Sequence, residues 1–207
     1  MKGIFVTFEG GEGSGKSVHT KVLAETLRVQ GGKVTLTREP GGAPGAEDIR
    51  ALLVTGEAGR WSAEAETLLN YAARDEHLRA TIRPALDDGY IVICDRFMDS
   101  TRVYQGYAGG CDMGLIDRLE RHIVGDTRPA LTIILDIDPE QGLLRAKGRG
   151  KSSEDRFEKK GIEFHRKIRE GFLTIAASDP ARCRVIDSSR PSDDVSADIW
   201  KHMSALL

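Results

Sequence analysis

Short apolar runs bounded by glycine, proline and acidic residues recur along the chain. Five of them predict strands: Ile4–Phe8, Lys33–Thr37, Tyr90–Cys94, Leu131–Asp136 and Cys183–Ile186. None alternates cleanly, and runs such as Ile91-Val92-Ile93-Cys94 fit strands covered on both faces, as in a parallel sheet. Helical spacing fills the intervals. Lys16–Val29 carries Val18, Val22, Leu23 and Leu27 as its inward stripe and stops at Gly31-Gly32. Ala46–Thr55 turns Ile49, Leu52 and Leu53 inward. Ser62 reads as the N-cap of a long helix to about Asp88, which Pro84 should kink or break. Leu115–Val124, a helix from Pro139 to about Lys147, Lys159–Ala177 and Asp193–Leu206 complete the set. Strand–helix alternation throughout predicts one α/β domain over residues 1–207, a doubly wound five-stranded parallel sheet flanked by helices.

Composition narrows the function classes. The 207 residues are 40% hydrophobic and carry 30 basic against 32 acidic side chains, a net charge of −2. That balance argues against a generally basic nucleic-acid binder. No apolar run approaches the roughly 18–20 residues of a membrane span, and the N-terminal run meets Glu9 too soon to read as a signal peptide. Cys94, Cys111 and Cys183 lie far apart, an odd and sparse set that fits a reduced, cytoplasmic setting. The five histidines, His19, His77, His122, His165 and His202, show no metal spacing and read as surface residues. One segment departs from the even balance: Arg145–Glu170 holds ten Lys/Arg against five Asp/Glu, around the glycine-rich Gly148–Ser153 stretch. A bare charge run of this kind is usually a solvated loop.

The chemistry concentrates after the first strand. Gly10-Gly11-Glu12-Gly13-Ser14-Gly15-Lys16-Ser17 satisfies G-x-x-x-x-G-K-[ST] between a strand and a helix. Glycines let backbone N–H groups converge on a polyphosphate, and the helix N-terminus adds positive potential. Lys16 supplies a cation for the β- and γ-phosphates, and Ser17 a hydroxyl for Mg²⁺. The pattern defines a nucleoside triphosphate site and leaves the phosphate acceptor open. Ligands of doubly wound sheets sit at the carboxyl ends of the strands. There the chain carries Arg38-Glu39-Pro40-Gly41-Gly42, then Asp95-Arg96-Phe97, then Ser100-Thr101 and Tyr104-Gln105-Gly106. Arginine forks beside carboxylates suit an anionic second substrate. Asp136 ends the fourth strand and reads as structural.

Taken together and in order, Phe8-Glu9-Gly10, Arg38-Glu39-Pro40-Gly41-Gly42, Asp95-Arg96 and Ser100-Thr101 with Tyr104-Gln105-Gly106 resemble the bacterial-type thymidylate kinases, over about residues 3–190. The resemblance implies ATP and dTMP as substrates, Mg²⁺ as cofactor, dTDP and ADP as products, and a homodimer. It implies that Arg38 and Arg96 clamp the dTMP phosphate, with Glu39 in the same loop, and that Asp95 organises Mg²⁺. Arg74 would reach the thymine edge, and Ser100, Tyr104 and Gln105 would line the nucleoside pocket. Glu12 would lie near the acceptor sugar and phosphates. Asp187–Arg190 would run near the adenine. The family usually keeps an aromatic residue four positions before the helix arginine; here that position is Asn70. Some members place an arginine in the P-loop, where this chain has Gly13. The missing cation then falls to the basic lid at about 145–156, with Arg149 first and Arg145 and Lys147 behind it. Arg156 would either stack on adenine or tie the lid to the body. Two other readings stay open: a P-loop kinase for another monophosphate or a deoxynucleoside, and a nucleotide-dependent switch. The chain lacks the Asn-Lys-x-Asp string a GTPase needs.

If Arg149 supplies charge to the transferring phosphoryl group, Arg149→Ala lowers turnover by a factor on the order of 10³ and ATP affinity only modestly. Coupled ADP-release kinetics check this; unchanged turnover moves the role to another residue.

Overall fold

The computed structural model describes residues 3–148 and 156–207. Arg149, the first sequence candidate for the lid cation, lies outside them, as does most of the Gly148–Ser153 stretch.

The five strands are β1 (Ile4–Glu9), β2 (Val34–Arg38), β3 (Ile91–Asp95), β4 (Leu131–Asp136) and β5 (Cys183–Asp187). They form one parallel sheet in the order β2-β3-β1-β4-β5. Both faces are covered, which is why the strand sequences do not alternate. Val6 and Phe8 of β1 pack with Ile93, Ile133 and Leu135 on one side, beneath Leu23 and Leu27 and beneath Val195, Ile199 and Met203. Phe5 enters the opposite core with Val92, Tyr71, Leu78 and Ile116. Chain order reverses at β1, which pairs with β3 on one side and β4 on the other. The crevice at the carboxyl ends therefore opens above β1.

The first core is closed by α1 (Lys16–Val29) and α9 (Ser192–Ser204). The expected inward stripe of α1 is only half right. Leu23 and Leu27 are buried, but Val18 and Val22 are 56% and 42% exposed. The buried face instead includes Lys16, His19 and Thr20, because α9 approaches from that side and Ser196 bonds His19 Nδ1 at 3.1 Å. In α2 (Pro44–Val54), Leu53 is buried and Ile49 half-buried as expected, whereas Leu52 is exposed. Three histidines expected at the surface are buried: His19, His77 and His165.

Ser62 caps α3 (Ala63–His77), accepting the Ala65 N–H at 3.2 Å. The helix continues through a widened π turn, Leu78–Ile82, into α4 (Arg83–Asp87). Pro84 offers no N–H to the preceding turn, and the Arg83 N–H reaches back five residues to Leu78 O; the looser turn takes up the break that proline imposes. After β3, α5 (Met98–Thr101) and a second π turn, Arg102–Tyr107, coil the polar run expected at the strand end. The remaining helices are α6 (Met113–Ile123), α7 (Pro139–Lys147) and α8 (Ile162–Ser178). Asp138 caps α7 by accepting the Glu140 and Gln141 N–H groups. Among the described residues no helix is long and apolar enough to cross a membrane.

Candidate active site

The loop from Gly10 to Gly15 joins β1 to α1 without a side-chain cap at the helix start, so the first amides of α1 are left for an anion. Lys16 folds back across the loop and donates to Gly10 O (3.1 Å), Gly11 O (2.8 Å) and Ser14 Oγ (3.2 Å). Burial and then the charge of Arg96 bring its ammonium down to about 8, against the opposing pull of Glu12 and Asp95. One turn on, Ser17 Oγ donates to Asp95 Oδ2 at 2.6 Å. Asp95 ends β3, so the hydroxyl and the carboxylate expected around Mg²⁺ meet at one point. Among the described residues no group of three or more His, Cys, Asp or Glu could hold a metal by itself. Gly13 has φ +69°, and a Cβ there would lie 1.9 Å from Gly142 O of α7. The P-loop position considered above for an arginine is thus filled by another segment's backbone.

Arg96 stands at the centre of the crevice. It is the one non-glycine residue with positive φ (70°) among those described, a conformation that costs on the order of 1 kcal/mol or more for an L side chain. Its guanidinium donates to Gly10 O (3.1 Å), Ser100 Oγ (3.2 Å) and Glu12 Oε1 (2.9 Å) and lies over the Tyr104 ring. Tyr104 Oη also donates to Glu12 Oε1, at 2.9 Å. Burial alone would raise the Glu12 pKa, but Arg96 and Lys16 outweigh it and hold the carboxylate at about 2. Behind this pair, Glu9 accepts from Phe97 N (2.8 Å), Ser100 N (3.2 Å) and Ser100 Oγ (2.5 Å). Burial, followed by the nearby charge of Asp99, lifts the Glu9 carboxyl to about 7 despite these bonds.

Two cavities flank Arg96. One, of about 160 Å³, is bordered by Lys16, Ser17, Arg38, Arg50, Asp95 and Arg96. The other, of about 150 Å³, is bordered by Asn70, Arg74, Ser100, Tyr104 and Gln105. Glu12, Glu39, Arg50 and Arg96 belong to both. Arg74 is buried in α3, with Nε on Glu39 Oε2 (2.8 Å) and Nη2 on Thr101 Oγ1 (3.0 Å). Its Nη1 is buried and has no hydrogen-bond partner among the described residues. Glu39 turns its other oxygen to His77 Nδ1 at 3.0 Å, and His77 Nε2 meets Thr37 Oγ1 at 2.7 Å. Gln105 donates to Glu66 Oε2 (3.0 Å), and Asn70 to Glu66 O (2.8 Å). Arg38 borders the first cavity and is paired with Glu47 at 3.1 Å on the exposed side.

Two sequence candidates stand apart. Arg145 borders neither cavity; its guanidinium donates to Ser188 O (2.9 Å) and Ser189 O (3.3 Å), tying α7 to the loop after β5. Arg156 is fully buried and donates to Leu53 O, Glu57 O, Ala58 O and Glu66. Of the two readings left open for it, the structure supports a tie to the body. Asp136 is held by two nitrogens of the Arg169 guanidinium, at 2.7 and 2.8 Å. Sequence reasoning missed Arg50. It lies three and four residues before Leu53 and Val54, which border the same cavity, so helical spacing from those two positions would have found it.

A phosphate-binding loop, an arginine-lined second cavity and a parallel sheet that reverses order between them define a P-loop nucleotide kinase. A thymidylate kinase family model matches residues 8–199. The chain is 52% identical to the thymidylate kinase of Caulobacter vibrioides, with 96% of this chain and 94% of that protein covered. It is 54% identical to that of Ruegeria pomeroyi, covering 95% and 92%. The crystal structure of the Ehrlichia chaffeensis thymidylate kinase superposes with a TM-score of 0.79 at 37% identity, covering 99% of each chain. The chain belongs to the thymidylate kinase family.

The Glu9 environment has a measurable consequence. Between its ordinary value of 4.5 and about 7, the folded protein keeps a proton that the unfolded chain has released. Rising pH in that window therefore removes up to about 3 kcal/mol of stability. Glu9→Gln should abolish this component. Urea denaturation of both proteins at pH 5 and pH 7 checks it: the wild type loses stability relative to the variant as pH rises, and parallel behaviour contradicts the assignment.

Proposed function

We propose that this protein transfers the γ-phosphoryl group of ATP to dTMP, giving dTDP and ADP, a step that supplies dTTP synthesis. The observation that carries this reading is the pair of cavities joined at Arg96 and Glu12, with Lys16 on one side and, on the other, the buried Arg74 Nη1 that has no hydrogen-bond partner among the described residues.

In this reading the donor phosphates lie on the amides of residues 10–17, and Lys16 exchanges its loop carbonyls for the β- and γ-oxygens. Ser17 and Asp95 offer the hard oxygen donors that suit Mg²⁺; they would hold the ion, which would neutralise phosphate charge. Arg96, with Arg38 and Arg50, holds the acceptor phosphate in line. An oxygen of that phosphate is already a nucleophile. It forms the new bond to the γ-phosphorus while the bond to the β–γ bridging oxygen breaks, and ADP leaves with the electron pair. Positioning and charge neutralisation therefore carry the rate, and no general base is required. Glu12, ionised well below neutral pH, accepts a sugar hydroxyl. Arg74 Nη1 donates to a carbonyl of the base, and Glu39 positions Arg74 rather than touching the nucleotide. Ser100, Tyr104, Gln105 and Asn70 line the nucleoside side. Arg145 acts from the ATP side by fixing the Ser188–Ser189 turn. The reading includes a homodimer, and a cytoplasmic site of action that the three free, buried thiols support.

Coupled ADP release across dTMP, dUMP and dGMP tests it. We expect dTMP to be the best acceptor and Lys16→Ala to lose about a hundredfold or more in turnover. Asn70→Phe should tighten dTMP binding by restoring a ring at that position. A different monophosphate preferred over dTMP overturns the acceptor assignment.

A further inference from the structure

A nucleobase needs an apolar plane or edge to pack against, and Asn70 does not offer one. Its amide is committed to Glu66 O of its own helix. Three aromatic rings border the acceptor cavity: Phe97, Tyr104 and Phe157. Phe97 is fully buried, edge-on to Phe5 at 4.9 Å and covered by the Arg74 guanidinium at 5.2 Å. Tyr104 is nearly buried, with Arg96 over its ring at 4.8 Å and the rings of Phe157, Phe164 and Phe172 around it. Phe157 alone of the three is only half-buried. It stands edge-on to Tyr104 at 5.6 Å, with Lys160 and Arg156 at 5.5 and 5.2 Å from its centroid.

The neighbour of Phe157 in sequence fixes where this ring stands. Arg156 donates to Leu53 O (3.1 Å), Glu57 O (2.9 Å) and Ala58 O (3.0 Å) and pairs with the Glu66 carboxylate. Leu53 borders the acceptor cavity. Glu66 accepts Gln105 on its second carboxylate oxygen and Asn70 on its backbone carbonyl. The anchor of Phe157 and the polar lining of the base pocket are therefore one network, centred on Glu66.

We propose that Phe157 is a specificity-determining residue of the acceptor site, supplying the apolar wall for the base that Asn70 cannot, and that Arg156 is the positioning residue that holds it there. This rests on the nucleotide-kinase reading above. The wall thus comes from the segment after the basic stretch instead of from α3. Removing it weakens the acceptor and leaves the donor untouched.

The test measures dTMP affinity by calorimetry and KM for dTMP and ATP by ADP release, with thermal midpoints alongside. Phe157→Ala should weaken dTMP about tenfold with the ATP KM unchanged. Phe157→Leu, which keeps apolar volume and so protects the fold, should weaken it severalfold. Asn70→Phe added to Phe157→Ala should restore most of the loss. Arg156→Lys should reproduce the Phe157→Ala effect on dTMP and add nothing to it in the double variant. dTMP affinity within twofold of wild type in both Phe157 variants overturns the proposal. So does a matching rise in the ATP KM, or a failure of Asn70→Phe to rescue. A wild-type protein that releases no ADP with dTMP would instead overturn the acceptor assignment itself.

Discussion

The crevice is organised by the ion pair between Arg96 and Glu12. These residues lie in the loops that follow the neighbouring strands β3 and β1, and the pair closes the gap between them. Arg96 is anchored by its backbone as well: its N–H donates to Phe8 O at 2.8 Å, and its left-handed conformation turns the side chain back over the glycine loop. Only 17% and 18% of the two side chains is exposed. Loss of either partner would leave a desolvated charge, a penalty of about 3–5 kcal/mol in comparable buried pairs. Strain of this kind persists only where surrounding structure enforces it, and Glu9 does so from below through three bonds to the Phe97–Ser100 segment.

The same device recurs around the cavities. Polar side chains that line or anchor the second cavity are braced by buried carboxylates. Glu39 fixes Arg74 and is itself braced by His77. Glu66 fixes Arg156 and Gln105. A satisfied network of this sort is rigid in a medium of low polarity, so the donors are oriented before any phosphate arrives. Preorganised charge of that kind is what phosphoryl transfer asks of a protein, since the reacting groups bring their own nucleophile and leaving group.

The fold was largely readable from the chain because its strands are covered on both sides, and uninterrupted runs such as Leu131–Leu135 mark that situation. The P-loop was readable because its chemistry is local: glycines, Lys16 and Ser17 act within one turn. The limits appeared where tertiary contacts override composition. Val18 and Val22 follow helical spacing, yet α9 packs against the turn carrying His19 and Thr20. His77 and His165 are polar by type but sit beneath the loops of the crevice, where burial lowers the pKa of His165 and Glu39 partners His77. Arg50 lies outside every motif, and the packing of α2 against α3 brings it to the cavities. Arg156 needed the same information, since its partners Leu53, Glu57 and Ala58 lie about a hundred residues earlier.

The contact between Gly13 and Gly142 reaches beyond local packing. A Cβ at residue 13 would strike Gly142 O at 1.9 Å, and a Cβ at residue 142 would strike Glu12 O at 2.3 Å. Each bare α-carbon is thus a condition for the other. A side chain at residue 13 would therefore require the first turn of α7 to retreat as well.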